Sequence, residues 1–149
     1  MTTYTGAWSR EEAAAFLDQT AVPVRLACRT PGGGLWMLSL WFRFAGGKLH
    51  CATGADADVV RYLEGDPDVA FEVSTNDPPY KGVRGRGTVT IDPDEDKELL
   101  RELIVRYLGD VDAPPGPQLL DASREEVAIR IDPDRVYSWD FTPRMSGDG

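Results

Sequence analysis

The feature that most constrains the fold is a period-two alternation of apolar and other residues, which recurs in short runs along most of the chain. Residues 22–28 show it first, and residues 35–44 show it again with apolar side chains on both faces. Such alternation is typical of β-strands, and a run that is apolar on both faces predicts a central strand. The intervening turns are short and rich in glycine and proline, which favours antiparallel pairing of neighbouring strands.

The pattern continues in five further segments. Strands are predicted at 48–52, 69–74, 83–91, 127–131 and 136–141. Gly85 and Gly87 lie inside one of these segments, and glycine within a strand indicates a bulge or sharp curvature. Several short, curved strands favour closure into a barrel. The sequence therefore predicts a mainly β chain with peripheral helices, an α+β arrangement around a small antiparallel β-barrel.

Three helices are predicted around the barrel, at about 10–19 within the N-terminal segment 1–20, at 56–64, and at 92–108. Ser9 and Glu12 have the spacing of a capping box, which predicts the start of the first helix. Asp56 is the expected cap of the second helix. Asp92 followed by Pro93 predicts the start of the third and longest helix.

Length and hydropathy limit the domain organisation. The chain has 149 residues, which predicts one domain over 1–149 with a polar, frayed tail at 144–149. Because no run of 18 apolar residues occurs, no membrane span is expected. The first residues lack the basic flank and apolar segment of a secretory signal, so a cytoplasmic location is expected.

Charge limits the partners. With 25 acidic and 16 basic side chains the chain carries a net charge of −9, which disfavours nucleic acid as a partner. Residues 1–91 have a net charge of −1 and residues 92–149 a net charge of −8, so the first part is the better place for an anionic ligand. Arginine outnumbers lysine and aspartate outnumbers glutamate, a composition typical of a salt-rich or high-GC host.

Few residues offer metal or nucleophilic chemistry. Cys28 and Cys51 are far apart, without a CxxC motif, and are expected to be buried thiols. His50 is the only histidine, and no GxSxG motif is present, which disfavours a zinc site and a hydrolase triad. Asp56 and Asp58 could form an acid pair, although helix capping explains Asp56 more simply. No catalytic or metal-ligating residue is assigned.

The basic residues of the first part are the best candidates for ligand binding. Lys81, Arg84 and Arg86 alternate along one predicted strand, so two of them share a face and favour a cationic patch. Arg61 fits two interpretations equally, a contact to a cofactor phosphate and a solvated arginine on a helix. Trp41 is expected to pack in the core or to flank a ring or partner subunit.

Several phrases of the sequence, in this order and spacing, resemble those of one protein family. They are Leu40-Trp-Phe-Arg-Phe44, Gly47-Lys-Leu-His-Cys-Ala-Thr-Gly54, Val60-Arg-Tyr-Leu-Glu-Gly-Asp-Pro67, Tyr80-Lys-Gly-Val-Arg-Gly-Arg-Gly87 and Val136-Tyr-Ser-Trp-Asp-Phe141. The chain resembles the pyridoxamine 5′-phosphate oxidase-like, FMN-binding split-barrel proteins over about two-thirds of its length. The resemblance implies a six-stranded antiparallel split barrel and a homodimer with two flavin sites at the subunit interface.

The resemblance also implies a set of cofactor-binding residues. These are Ser39, Leu40, Trp41, Thr53, Arg61, Lys81 and Arg84. The first three match positions beside the isoalloxazine ring, and the other four would hold the ribityl phosphate or a similar anion. In the family's Arg-Gln-Val-Arg phrase, Gly82 stands here in place of the glutamine.

The phosphate loop departs from the family's Thr-x-x-x-Ser-Arg-Lys pattern. Ala57, Asp58 and Val59 replace its serine, arginine and lysine, and Met37 stands at a basic position of the preceding strand. Each carboxylate near a phosphate costs roughly 1 kcal/mol or more. Two hypotheses follow: an FMN-dependent or deazaflavin-dependent oxidoreductase acting on a small molecule, and a split-barrel dimer that has lost the redox cofactor and serves as a binding or structural protein.

Overall fold

The computed structural model describes residues 1–145, in which eight strands form one sheet. The strands are β1 Thr3–Gly6, β2 Val24–Arg29, β3 Leu35–Leu40, β4 Phe42–Ala45, β5 Lys48–Gly54, β6 Asp68–Ser74, β7 Lys81–Pro93 and β8 Glu126–Asp140. Their order is β3-β2-β6-β7-β8-β5-β4, and all of these pairs are antiparallel. The short β1 pairs in parallel with β8.

Closure of the sheet depends on residues 35–45. β3 and β4 are separated only by Trp41, yet they lie at opposite ends of the strand order. Because one segment belongs to both ends, the sheet must curl into a split barrel. The predicted antiparallel split barrel is confirmed, with eight strands in the described residues instead of six.

β8 differs from its prediction. Two strands joined by a turn at 132–134 were expected, but the chain forms one strand from Glu126 to Asp140. Arg86 of β7 pairs with Arg135, whereas Gly87 pairs with Pro133, so Asp134 is left unpaired as a bulge. Proline has no N–H to contribute to a ladder, and a bulge accommodates it without ending the strand.

The helices lie around the barrel. They are α1 Arg10–Gln19, α2 Asp58–Gly65, α3 Glu98–Leu108, α4 Gly116–Leu119 and α5 Thr142–Met145, with a 3₁₀ turn at Glu95–Lys97. The capping box is confirmed, because the Glu12 amide donates to the Ser9 hydroxyl and the Ser9 amide donates to the Glu12 carboxylate. None of these helices, within residues 1–145, is long and apolar enough to cross a membrane.

Two predicted helix starts are wrong. The N-cap of α2 is Ala57, which makes no side-chain capping bond, and not Asp56. Residues 92–93 extend β7, since they pair with Ala128 and Val127, and the Asp94 carboxylate instead accepts from amides at the start of α3. Of the predicted frayed tail 144–149, residues 144 and 145 belong to α5, and residues 146–149 lie outside the described residues.

The core fills the interior of the barrel. Inward-facing side chains of β2 and β6 alternate with outward-facing ones, as the period-two pattern predicts. The largest fully buried side chains of the described residues include Phe42, Leu26, Leu49, Ile129 and Ile131. Cys28 and Cys51 are buried free thiols, as predicted.

Candidate functional site

A groove of about 550 Å³ crosses the outer face of the sheet over β3, β2, β6, β7, β8 and β1. One row of register neighbours runs along it. Ser39 on β3 lies beside Arg25 on β2, which lies beside Glu72 on β6. Arg84 on β7 and Tyr137 on β8 continue the row. Arg25 and Glu72 face outward because their neighbours along each strand are buried in the barrel.

The next row forms an apolar floor. Ala27 and Ala70 are register neighbours on β2 and β6, and their small side chains make the surface concave. On one side of them lies Met37, which is 61% exposed. On the other side lie Arg86 and Arg135. A shallow apolar depression with cations along one side suits a planar ring that carries an anionic substituent.

The groove concentrates positive charge in an acidic protein. Arg25, Arg84, Arg86 and Arg135 line it with one carboxylate, Glu72, which gives a local net charge of +3. The whole chain carries −9. The ion pairs found among the described residues involve none of these five side chains. Among the described residues no ion pair therefore neutralises these four guanidinium groups, and their charge can attract an anionic ligand.

Arg84 is held in place by aromatic rings. Its guanidinium carbon lies 4.8 Å from the centre of the Tyr137 ring and 5.1 Å from that of Trp139. The two rings are themselves stacked, with centroids 6.5 Å apart and an interplanar angle of 21°. Cation–π contacts of this kind orient the guanidinium group and leave its N–H donors free at the edges.

The fold places the three residues predicted to lie beside the isoalloxazine ring in three different surroundings. Ser39 is exposed at the β3 end of the groove's first row. Leu40 packs against the hydrophobic core. Trp41 stacks on Tyr107 of α3, with ring centroids 5.2 Å apart and planes within 7°. Within one chain, only Ser39 of these three adjoins the groove.

The residues predicted to bind phosphate are also separated. Thr53 pairs with Val127, ten residues before Tyr137 on β8, so it lies about 30 Å along that strand from the position where Tyr137 pairs with Arg84. Arg61 forms an ion pair with Asp58 at 3.2 Å. A single chain therefore does not bring Thr53 and Arg84 into one site, and Arg61 is engaged by a carboxylate of its own helix.

Lys81 is the first residue of β7, and it pairs in register with Asp140. A hydrogen bond from the Thr142 hydroxyl lowers the pKa of the Asp140 carboxyl, and the Lys81 charge lowers it further. Lys81 thus has an acidic neighbour, whereas Arg84, three residues further along, contacts aromatic rings.

The segment that follows β5 is a poor phosphate site. A cavity of about 350 Å³ lies there, and the charged side chains that line it are Arg124, Asp56 and Glu125. Arg124 points toward Gly54, where an added Cβ would lie 3.7 Å from its Nη2 atom. Its Nε donates to the buried Glu126 carboxylate at 3.0 Å. One cation against two lining carboxylates does not suit a phosphate dianion.

Sequence reasoning found Arg84 and Arg86 but missed the other charged residues of the groove. Arg25, Glu72 and Arg135 lie on three different strands, and only the register of the sheet aligns them. One signal was present in the sequence: Arg25 interrupts a run whose alternate residues are buried, so it had to face outward.

Comparison with known proteins gives one family. The model of the family described as Pyridoxamine 5′-phosphate oxidase matches residues 9–138. No curated protein matches the sequence.

Solved structures share the fold. A conserved hypothetical protein of Mycobacterium tuberculosis superposes with a TM-score of 0.73 at 25% identity, covering 90% of this chain and 86% of that one. A structure named F420 Reductase superposes with a TM-score of 0.70 at 26% identity, covering 86% and 98%. An FAD-binding protein of Mesorhizobium loti, at 20% identity and a TM-score of 0.62 over 88% and 93%, supports the fold alone.

Proposed function

Because this chain belongs to the pyridoxamine 5′-phosphate oxidase family, we propose that its outer groove binds the ring of a flavin or deazaflavin and that the protein is an oxidoreductase acting on a small molecule. The observation that carries the proposal is the groove itself, an alanine floor edged by four arginines in an acidic chain. The bound cofactor would supply the electron transfer, while the protein would bind and orient it.

The groove offers separate places for the ring and the anionic tail. The ring would lie flat on Ala27 and Ala70, with Met37 against its apolar edge. Arg86 and Arg135 are register neighbours at the side of this floor, and adjacent guanidinium groups bind phosphate or carboxylate through charge-assisted hydrogen bonds. These two arginines would replace the basic residues that the loop after β5 lacks.

The charge distribution supports a deazaflavin as an alternative to FMN. FMN needs one site for a phosphate dianion, and the residues after β5 do not suit one. A deazaflavin with a longer anionic tail would use several of the groove's arginines at once. The likeness to the structure named F420 Reductase supports including this second class.

We also propose that two copies of the chain form the complete site. Leu35 and Met37, at the edge of the groove on β3, are 85% and 61% exposed, which a partner subunit would cover. Thr53 and Arg84 are too far apart in one chain to contact the same cofactor, but a second copy could supply one of them. Sedimentation velocity of the purified protein tests this, and a monomer at micromolar concentration would contradict it.

The second candidate function is a split-barrel protein that binds a ligand or partner without a redox cofactor. It is favoured by one observation, the start of α2, where Ala57 provides no capping side chain and Asp58 engages Arg61. If this candidate is correct, the purified protein will be colourless and will not take up added FMN or coenzyme F420.

A titration distinguishes the two functions. Quenching of FMN and F420 fluorescence would be followed for the wild type, for an Arg86→Met/Arg135→Met double variant, and for Arg101→Met, an exposed arginine of α3, as the matched control. We expect binding by the wild type and the control, and at least tenfold weaker binding by the double variant, since each charge-assisted hydrogen bond contributes roughly 1.5–3 kcal/mol. Absence of binding by the wild type would refute the oxidoreductase.

A further inference from the structure

Three charged residues alternate in sign across three adjacent strands of the groove. Arg25 on β2 is the register neighbour of Glu72 on β6, and Glu72 is the register neighbour of Arg84 on β7. All three line the groove on its outward face. Because neighbouring strands are about 4.8 Å apart, the two arginines begin about 10 Å from each other with the carboxylate between them.

Each of the three side chains is held by a different neighbour. Arg25 Nη2 donates to Asn76 Oδ1 at 3.2 Å, and the Ser74 hydroxyl donates to Glu72 Oε2 at 3.0 Å. Arg84 lies over Tyr137 and Trp139.

These contacts keep the charges apart. Opposite charges directly across adjacent strands attract each other and can form ion pairs. Here no ion pair of the described residues includes Glu72. The carboxylate therefore keeps acceptor capacity toward the groove, with an N–H donor group on either side.

The order donor, acceptor, donor is complementary to one edge of the proposed ring. The pyrimidinedione part of a flavin or a deazaflavin presents a carbonyl, an imide N–H and a second carbonyl along that edge. An ionised carboxylate only accepts hydrogen bonds and a guanidinium only donates them. The backbones that carry the two arginines are about 10 Å apart, which is wide enough for this edge with a hydrogen bond of roughly 2.9 Å on each side.

We propose that Glu72 accepts the hydrogen bond of the ring's imide N–H, and that Arg25 and Arg84 donate to the two flanking carbonyl groups. The inference rests on the proposed function, because it assigns an orientation to the ring in the same groove. The pyrimidinedione edge meets the Arg25–Glu72–Arg84 row, and the rest of the ring covers Ala27 and Ala70 in the next row.

The test removes the two partners of this hydrogen bond separately. Affinities of the wild type, Glu72→Leu and Glu72→Gln would be measured for FMN and coenzyme F420 and for their N3-methylated forms, which lack the imide proton. Glu98→Leu, a change of the same type at an exposed residue of α3, is the matched control. Circular dichroism would check that each variant is folded.

We expect Glu72→Leu to bind the unmethylated cofactor about 10- to 100-fold more weakly than the wild type, the range of a hydrogen bond to a charged group. Glu72→Gln should lose less, because its amide carbonyl still accepts. N3-methylation should weaken binding to the wild type by a similar factor and have little further effect on Glu72→Leu.

Two different results would count against the inference. If the wild type binds both forms equally, or Glu72→Leu binds as tightly as the wild type, the assigned ring orientation is wrong while the proposed function stands. If the wild type binds neither cofactor, the proposed function and this inference both fail. Should Glu72→Leu fail to fold, the wild-type comparison and Glu72→Gln decide the question.

Discussion

The ion pair between Arg124 and Glu126 is unequal in burial, and this difference predicts a large effect on stability. The Glu126 side chain is 1% exposed and that of Arg124 is 44% exposed, with Nε and Oε1 3.0 Å apart. Arg124→Met keeps the aliphatic stem but removes the charged partner. A buried carboxylate would then remain without its counter-ion, at the position where β8 begins beside Gly54.

The expected loss of stability follows from the exposed fractions of the Arg124 and Glu126 side chains. Removing one member of a fully buried pair costs about 3–5 kcal/mol. Because Arg124 is almost half exposed, water can reach the carboxylate once the guanidinium is gone, so we expect about 2–3 kcal/mol at pH 7. With a urea m-value of about 2 kcal/mol/M, the midpoint of unfolding should fall by about 1–1.5 M.

A double-mutant cycle in urea measures this coupling. Glu126→Leu removes the buried charge, and the double variant with Arg124→Met should recover most of the free energy of unfolding lost in Arg124→Met. Arg43→Met is the control, since Arg43 and Glu102 are 50% and 41% exposed and their pair should contribute less than about 1 kcal/mol. An Arg124→Met midpoint equal to that of the control would refute the reasoning.

Three further predictions concern the barrel and helix α1. Burial raises the pKa of the Cys51 thiol to about 12 from 9.0, so the unfolded state loses this proton first as the pH rises. The free energy of unfolding should therefore fall by about 1.4 kcal/mol per pH unit between about pH 9 and about pH 12. A Cys51→Ala variant with the same alkaline slope as the wild type would contradict this. Gly85→Ala would place a Cβ 2.2 Å from the Arg135 carbonyl oxygen and should lower the free energy of unfolding by about 2 kcal/mol or more. The control is Gly32→Ala, whose Cβ would meet nothing within 4 Å, and its free energy of unfolding in urea should stay within about 0.5 kcal/mol of the wild-type value. Ser9→Ala removes the N-cap of α1 and should lower the free energy of unfolding by about 1 kcal/mol, which thermal unfolding would detect as a lower midpoint. An unchanged midpoint would show that the cap does not contribute to stability.

Local patterns predicted most of the elements but not where the barrel closes. The alternation of residues 35–44 continues without interruption through Trp41, so nothing in the sequence marks the end of β3. The break exists because one half of the segment pairs with β2 and the other half with β5. That requirement belongs to the whole sheet, and no local signal expresses it.

The start of α3 shows the opposite case, in which a strong local signal was overridden. Asp92 and Pro93 have the residue types of a helix start, yet both continue β7 because the ladder with β8 extends to Val127. Proline is tolerated at the end of a strand, where its missing N–H leaves no partner unsatisfied. The capping role falls instead to Asp94, one residue beyond the strand.

The family resemblance named one residue that lines the groove, and the register of the strands supplied its charged neighbours. Arg84 was named from the phrase around it, but Glu72 looked like any polar residue on a half-buried strand. Its significance comes from Arg25 and Arg84, which are 47 residues before it and 12 residues after it along the chain. Side-chain neighbours across a sheet can be assigned only when the pairing of every intervening strand is known.

Net charge alone would have argued against an anionic ligand for this protein, and the geometry of the groove explains why that argument is weak. At physiological ionic strength, charges more than about 8 Å apart are largely screened, so the distant carboxylates that make up most of the −9 net charge contribute little at the groove. The groove's four arginines and single carboxylate act at contact distance, where screening is least. Ligand preference therefore follows the local charge of +3, and the acidic remainder of the surface governs solubility and the rate of encounter with an anion.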